Sequence, residues 1–170
     1  MGVRTFSSLY HYPSYRLYCL GSAFEHLGEY MELAAVLWIA NEITSSPFVL
    51  TLVGSCRFMF MVFLSLPGGL AADRLNRRNL LIASLLGSIL LSISLAVLTA
   101  TGRVAVWQLI VVSLIHGIVT SLNHPARRAI LPNLVGKEHL LNAISLETGS
   151  VLASQAIAMP VSGYLMAHGG

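Results

Sequence analysis

Apolar residues run along this chain in five long stretches, at about 17–40, 48–72, 80–100, 104–123 and 140–167. Between them lie short polar interruptions: Thr44-Ser45-Ser46-Pro47, Asp73 to Asn79, Thr101-Gly102-Arg103 and Pro125 to Gly136. Clusters of Pro, Gly, Ser and Asn of this kind mark turns and loops. Each apolar stretch reaches the ~20 residues of helix needed to cover the hydrocarbon core of a bilayer. A membrane barrel would instead show polar and apolar positions alternating in ~10-residue segments, and these stretches do not alternate. The pattern predicts an all-α integral membrane chain of five transmembrane helices. The opening at residues 5–15 is polar and tyrosine-rich and carries Pro13, and three glutamates interrupt the first apolar stretch. Both features argue against a cleavable signal sequence.

Composition agrees with that pattern. Hydrophobic residues make up 55% of the chain and charged ones 10%, with a mean hydropathy of +0.74. A soluble domain carries roughly 25% charged residues, so this chain lacks the polarity to cover a folded surface in water and the lipid bilayer is its expected surroundings. The net charge of +3 arises from residues clustered between the apolar stretches, not from a stripe that could track phosphates. Nucleic acid is therefore not an expected partner. Arg4 and Arg16 precede the first stretch, Arg74, Arg77 and Arg78 follow the second, and Arg127, Arg128 and Lys137 follow the fourth; Arg103 alone lies on the other side. Because cytoplasmic loops carry the excess of Lys and Arg, the N-terminus is expected in the cytoplasm. Five spans then bring residues 168–170 out on the opposite face, and further helices, or a partner chain supplying them, are expected. Cys19 and Cys56 both lie in apolar stretches and suggest neither a disulfide framework nor a metal knuckle. No cofactor is expected, and no metal site either, because no histidine pair has metal-ligand spacing with a further ligand in its helix apart from the adjacent acids.

The segment from Pro67 to Arg78 joins the second and third stretches. It places glycines at a helix end, Asp73 at the membrane surface and arginines at a tight turn. Gly69, Asp73, Arg74, Arg77 and Arg78 resemble the Gly-x-x-x-Asp-Arg-x-x-Arg-Arg signature of the major facilitator superfamily, and Asn76 stands where that signature commonly has a second glycine. Leu27-Gly28-Glu29-Tyr30-Met31, the run Pro47 to Arg57 and Asn123 to Val135 resemble further segments of its enterobactin-exporter-like and macrolide-efflux-like branch. That family's intramembrane Arg before Gln-Gly in the fourth helix has no counterpart here, where Ser113 and His116-Gly117 stand. In the fifth helix, Pro160 and Gly163 are kept from the Gly-Pro-x-x-Gly-Gly of antiporters. The resemblance implies the N-terminal part of a six-helix half of a twelve-helix transporter in a bacterial cytoplasmic membrane. It further implies alternating access, export and proton exchange.

Glu25, Glu29 and Glu32 recur at i, i+4 and i+7, which places them within an arc of about 60° on one helix face. At bilayer depth each ionisable group costs about 2.5–3.5 kcal/mol on insertion scales, so such a face is expected to turn toward a bundle interior or a wet cavity. Close carboxylates repel one another and favour proton uptake, which is the chemistry a proton-coupled carrier needs. Solvation of Glu25 and Glu32 near the helix ends, leaving Glu29 alone at depth, is the plainer reading. Counting residues from Arg16 outward and from Asp73 back puts Glu32 and Arg57 at nearly equal height, so a Glu29/Glu32 to Arg57 pair is expected. His116 and Glu147 are secondary candidates. Ser84, Ser88 and Ser92 form a small-residue ridge suited to close helix packing. The function expected is therefore secondary transport, as a proton-coupled exporter of small amphiphilic compounds. The alternatives are a truncated transporter half without activity of its own and, on the strength of His116 and the many serines alone, an intramembrane enzyme. No Gly-x-Ser-x-Gly supports the enzyme.

Overall fold

The computed structural model describes the backbone of residues 7–74 and 76–169, and within these the side chains of all but residues 7, 10, 65–74, 77, 137 and 169. The described residues are helical almost throughout and include no strand. The elements are α1 (Ser7–His11), α2 (Pro13–Ile43), α3 (Pro47–Arg74), α4 (Arg77–Ala100) and α5 (Val106–Gly169).

Local chemistry sets most of these boundaries. Pro13 and Pro47 each occupy a first helical position, where the fixed φ suits the turn and the missing N–H has no partner to lose. Ahead of α3, the Ser46 carbonyl accepts from the N–H groups of Val49 and Leu50 at 3.1 and 3.2 Å. Asn76 caps α4: its backbone is extended, at φ −66° and ψ 112°, and its side chain accepts from the Arg78 N–H. Asparagine therefore serves here as a helix cap, and no left-handed turn is needed to explain why it replaces the glycine of the signature. At the other end of α4, Arg103 N–H returns to Leu98 O at 3.2 Å across Gly102, whose φ is +64°.

One expectation is overturned at Pro125 to Gly136. The segment is helix, not loop, and α5 is interrupted only at Gly136, with φ 66° and ψ 165°. A proline inside a helix removes a single backbone bond, which membrane helices tolerate where neighbouring groups take up the freed carbonyl, so Pro125 and Pro132 do not end the helix. The combination of angles at Gly136 does end it, because that region of backbone space is essentially restricted to glycine.

Among the described residues, four helical stretches are long and apolar enough to cross a membrane: Pro47–Leu64, Arg78–Ala100, Val106–Gly136 and Glu138–His168. The first apolar stretch is a helix of 31 residues, but Arg16, Glu25, Glu29, Glu32 and Glu42 keep it out of that set. Its length suits a crossing and its charge distinguishes it from the other four.

The chain divides into two units. Unit 1 comprises residues 1–35 and 129–170, and its core is Tyr15, Leu131, Val135 and Ala143, with Leu9, Tyr12 and Tyr18 packed around them. Unit 2 comprises residues 36–128, where Val36 and Ala40 of α2 meet Val53 of α3, Leu95 of α4 and Leu109 of α5. A smaller cluster of Leu80 and Ala126 joins α4 to α5. Large apolar side chains are left facing outward in both units, among them Phe24 at 73% and Phe63 at 73% exposure, as a surface in contact with lipid requires.

A Cβ at Gly136 would meet the Tyr12 hydroxyl at 3.6 Å, an ordinary contact, so backbone strain and not crowding sets the effect of Gly136→Ala. The expected loss is about 1–3 kcal/mol. It is read as a lower thermal midpoint in detergent, with Gly149→Ala, which has open space around it, as the control that does not fall.

Candidate functional site

In unit 1, α2 lies beside the end of α5 and the two helices run parallel. Tyr15 OH donates to Ala143 O at 3.0 Å, Tyr18 OH to Glu147 Oε1 at 2.9 Å and Ser154 Oγ to Ala23 O at 3.3 Å, so residue numbers rise together along both. Ser8 donates through both its N–H and its hydroxyl to Asn142 Oδ1, tying α1 to the same helix. Burial drives the Tyr15 phenol well above its ordinary pKa, which keeps it a neutral donor.

The inward face of α2 in this unit is defined by Tyr15, Ser22 and His26, all buried; Leu17, Leu20 and Phe24 are exposed. On a helix of 3.6 residues per turn Glu29 lies about 20° from Ser22 and about 140° from Phe24, whereas Glu25 and Glu32 lie together on one side of the inward face, about 60° and 80° from Ser22. All three carboxylates are half-buried and all take part in polar interactions. Glu29 Oε2 is 3.5 Å from Nδ1 of His26, whose ring is 4% exposed. His26 Nε2 and the hydroxyl of the buried Ser162 are without hydrogen-bond partners.

Unit 2 holds the second group of polar residues. Ser113, His116, Thr120, Asn123 and Arg127 are all buried and follow one another along α5 at steps of three and four, the spacing of a single helix seam. Arg57 of α3 is 6% exposed and its Nη2 lies 2.8 Å from His116 Nε2. Thr120 Oγ1 turns back to the carbonyls of His116 and Gly117. Asn123 Nδ2 donates to Ser84 Oγ of α4 at 2.9 Å, while Arg127 Nε donates to Asn123 Oδ1 at 2.6 Å. Small residues let the helices come this close. A Cβ on Gly117 would stand 2.5 Å from the Arg57 carbonyl oxygen, and one on Gly87 would stand 3.4 Å from Val119 Cγ2.

Of the residues singled out in the sequence, Glu25, Glu29, Glu32 and Glu147 belong to unit 1 and Arg57 and His116 to unit 2. Glu147 is brought to Tyr18, and Arg57 to His116. The sequence reading foresaw neither partner. In the signature segment, Gly69, Asp73 and Arg74 complete α3 and Arg77 opens α4; the side chains of Asp73, Arg74 and Arg77 lie outside the described ones, and Arg78 is exposed. The fourth helix lacks the family's arginine, yet a guanidinium reaches His116-Gly117 from α3. Among the described residues no group of three or more His, Cys, Asp or Glu could hold a metal ion, and both cysteines are free.

The family model described as transmembrane secretion effector, a branch of the major facilitator superfamily, matches residues 5–170. The chain belongs to this family. It is 25% identical over 142 residues to the staphyloferrin A transporter of Staphylococcus aureus, a match covering 83% of this chain and 36% of that protein. With the uncharacterized MFS-type transporter YfiS of Bacillus subtilis it shares 27% identity over 142 residues, 83% of this chain and 33% of the relative. The chain thus spans about a third of the length of the curated relatives it matches. No solved structure matches it. Family and relatives alike point to an integral membrane transporter and away from an enzyme.

The close approach at Gly117 makes a test of the transmembrane secretion effector seam. Gly117→Ala would drive a methyl into the Arg57 carbonyl and toward Phe60 Cβ at 3.1 Å, and neither can yield unless α3 and α5 separate. Overpacking of this kind costs about 1–3 kcal/mol. The thermal midpoint in detergent should fall further than for Gly54→Ala, whose methyl meets a movable Leu37 side chain at 3.5 Å.

Proposed function

We propose that this chain forms the N-terminal part of a proton-coupled exporter of small amphiphilic compounds in a bacterial cytoplasmic membrane. Membership of the transmembrane secretion effector family supplies the transporter class. Direction, coupling ion and cargo are our own reading. The observation that carries the coupling is Glu29, a half-buried carboxylate on the inward face of α2, 3.5 Å from a buried imidazole. A carboxylate taken out of bulk water and set among other acids favours proton uptake, and an adjacent imidazole is a group able to exchange that proton. Glu25 and Glu32, together on one flank of that face, would line the wet side of the cavity.

Alternating access needs helices beyond these, and we assign them to the remainder of a transporter of the relatives' length, in the same polypeptide or supplied by a partner chain. A chain of this length without them would insert and not transport.

The test uses cells expressing the complete reading frame that encodes this chain, loaded with an amphiphilic fluorescent dye and given an imposed pH gradient. Gradient-driven efflux is expected from the wild type. In Glu29→Gln it should fall to the level of cells lacking the protein, at equal amounts in the membrane. Efflux that is unchanged in Glu29→Gln removes proton coupling through this carboxylate. Staphyloferrin A, the cargo named for one relative, is the second compound to offer.

A further inference from the structure

A guanidinium has only N–H groups to offer and keeps its proton at any physiological pH. In the 2.8 Å contact between Arg57 Nη2 and His116 Nε2, the imidazole nitrogen therefore has to accept. His116 is thus held as the neutral ring with its proton on Nδ1. Both side chains are buried, at 6% and 3% exposure. Adding one proton to Nε2 replaces the acceptor with a donor and leaves two cations facing each other at hydrogen-bond distance in a poorly screening interior. The contact sits at a close approach of α3 and α5, next to Gly117 and the Arg57 carbonyl.

We infer that Arg57 and His116 form a proton-controlled clasp on the α3–α5 seam, with His116 as the positioning residue: neutral, it holds Arg57 and the seam closed; protonated, it lets both go. The groups that unit 2 sets around the clasp can be named element by element. On α3 they are Arg57 itself and the buried Cys56. Residues 79–100 of α4 include no titratable side chain. The part of α2 in this unit contributes Glu42, exposed and accepting from Trp38 Nε1 at 3.0 Å. On α5, His124 and Arg127 lie two and three turns further along, and Arg127 is bonded to Asn123. Arg57 is the cation in direct contact, so a proton on His116 sets two positive groups face to face. The clasp concerns a different residue from the carboxylate of the transport proposal, and its bearing on transport rests on that proposal.

Cys56 supplies a reporter that does not depend on transport. The complete protein, with Cys19→Ser, is purified in detergent and its Cys56 labelled with a small maleimide from pH 8 to pH 5.5, the interval over which an ordinary imidazole takes up its proton. Every rate is divided by that of His116→Gln at the same pH, which cancels the thiol's own titration. The amide oxygen of Gln can still accept from Arg57 but binds no proton. The ratio should stay near one at pH 8 and rise several-fold by pH 5.5, whereas His116→Lys, a fixed cation, should label fast throughout. A ratio that stays flat across the range overturns the clasp, and so does a His116→Lys protein as protected as the wild type. If His116→Gln does not fold, Arg57→Gln makes the same comparison, because it removes the cation that opposes the proton. Dye efflux measured on the same variants separates the two proposals. An acid-dependent ratio without any efflux leaves the clasp standing and refutes the transport reading. Efflux with a flat ratio does the reverse.

Discussion

Charge at bilayer depth is the constraint on which this structure depends. The long helices carry Glu25, Glu29, Glu32, Arg57 and Glu147 in their interiors, and each such group costs about 2.5–3.5 kcal/mol in the middle of a membrane unless it finds polar company. The helices meet that cost by rotation. On α2, Glu29 shares the side of buried Ser22 and His26 while Phe24 faces out. On α3, Arg57 is buried while Phe58 beside it is exposed. Residues one or two steps apart thus meet opposite surroundings, with the polar or charged member turned inward and the large apolar one outward. Hydrophobicity alone could not set this orientation, since lipid and helix neighbour are about equally apolar.

The two units find that polar company by different means. Unit 1 relies on tyrosine, whose phenol reaches from one helix to the next: Tyr15 to the Ala143 carbonyl and Tyr18 to the Glu147 carboxylate. Such long side chains allow helices to stand apart. Unit 2 relies on small residues, with Gly117 against the α3 backbone and Gly87 against Val119, so that short polar side chains such as Ser84 and Asn123 can meet directly. Close seams of this kind are rigid, because small residues leave little slack to adjust, whereas a seam of tyrosines can slide by a rotamer change.

Much of the fold was legible in the sequence because hydropathy is a strong signal: apart from Val104 and Ala105, the five apolar stretches lie in long helices, and Pro13 and Pro47 mark starts as they should. The loop expected at Pro125 to Gly136 gave proline its meaning in water, where an unpaired carbonyl finds solvent and a helix ends readily. Of its two prolines neither breaks α5, and a glycine does. The same misreading hid the buried stripe on α5, whose last member, Arg127, had been placed in the loop. The pairing of Arg57 with His116 was accessible and was missed. Arg57 lies ten residues into α3 and His116 ten residues into α5, about 15 Å along each axis, and both helices start on the same side of an up-and-down chain. Counted from Asp73 at the opposite end of α3, Arg57 falls level with Glu32 instead, and depth alone does not choose between an acid and a neutral acceptor. How α2's glutamates are engaged is not something spacing can convey, since it depends on rotamers of several helices at once.

The stripe on α5 holds two arginine contacts that resemble each other and differ in one respect. Arg57 is held by an imidazole nitrogen and Arg127 by an amide oxygen. Both acceptors are neutral, so each orients a guanidinium without cancelling its charge, where a carboxylate would do both and bind more tightly. Asn123 keeps its acceptor at every pH. His116 has one only while unprotonated. Three turns of a single helix thus carry a fixed anchor at one level and a conditional one at another, and a proton arriving in this seam would release α3 at the level of Arg57 while leaving α4 fastened through Asn123 and Ser84. Opening from one end only is a hinge, and a hinge requires just this inequality between two otherwise similar bonds.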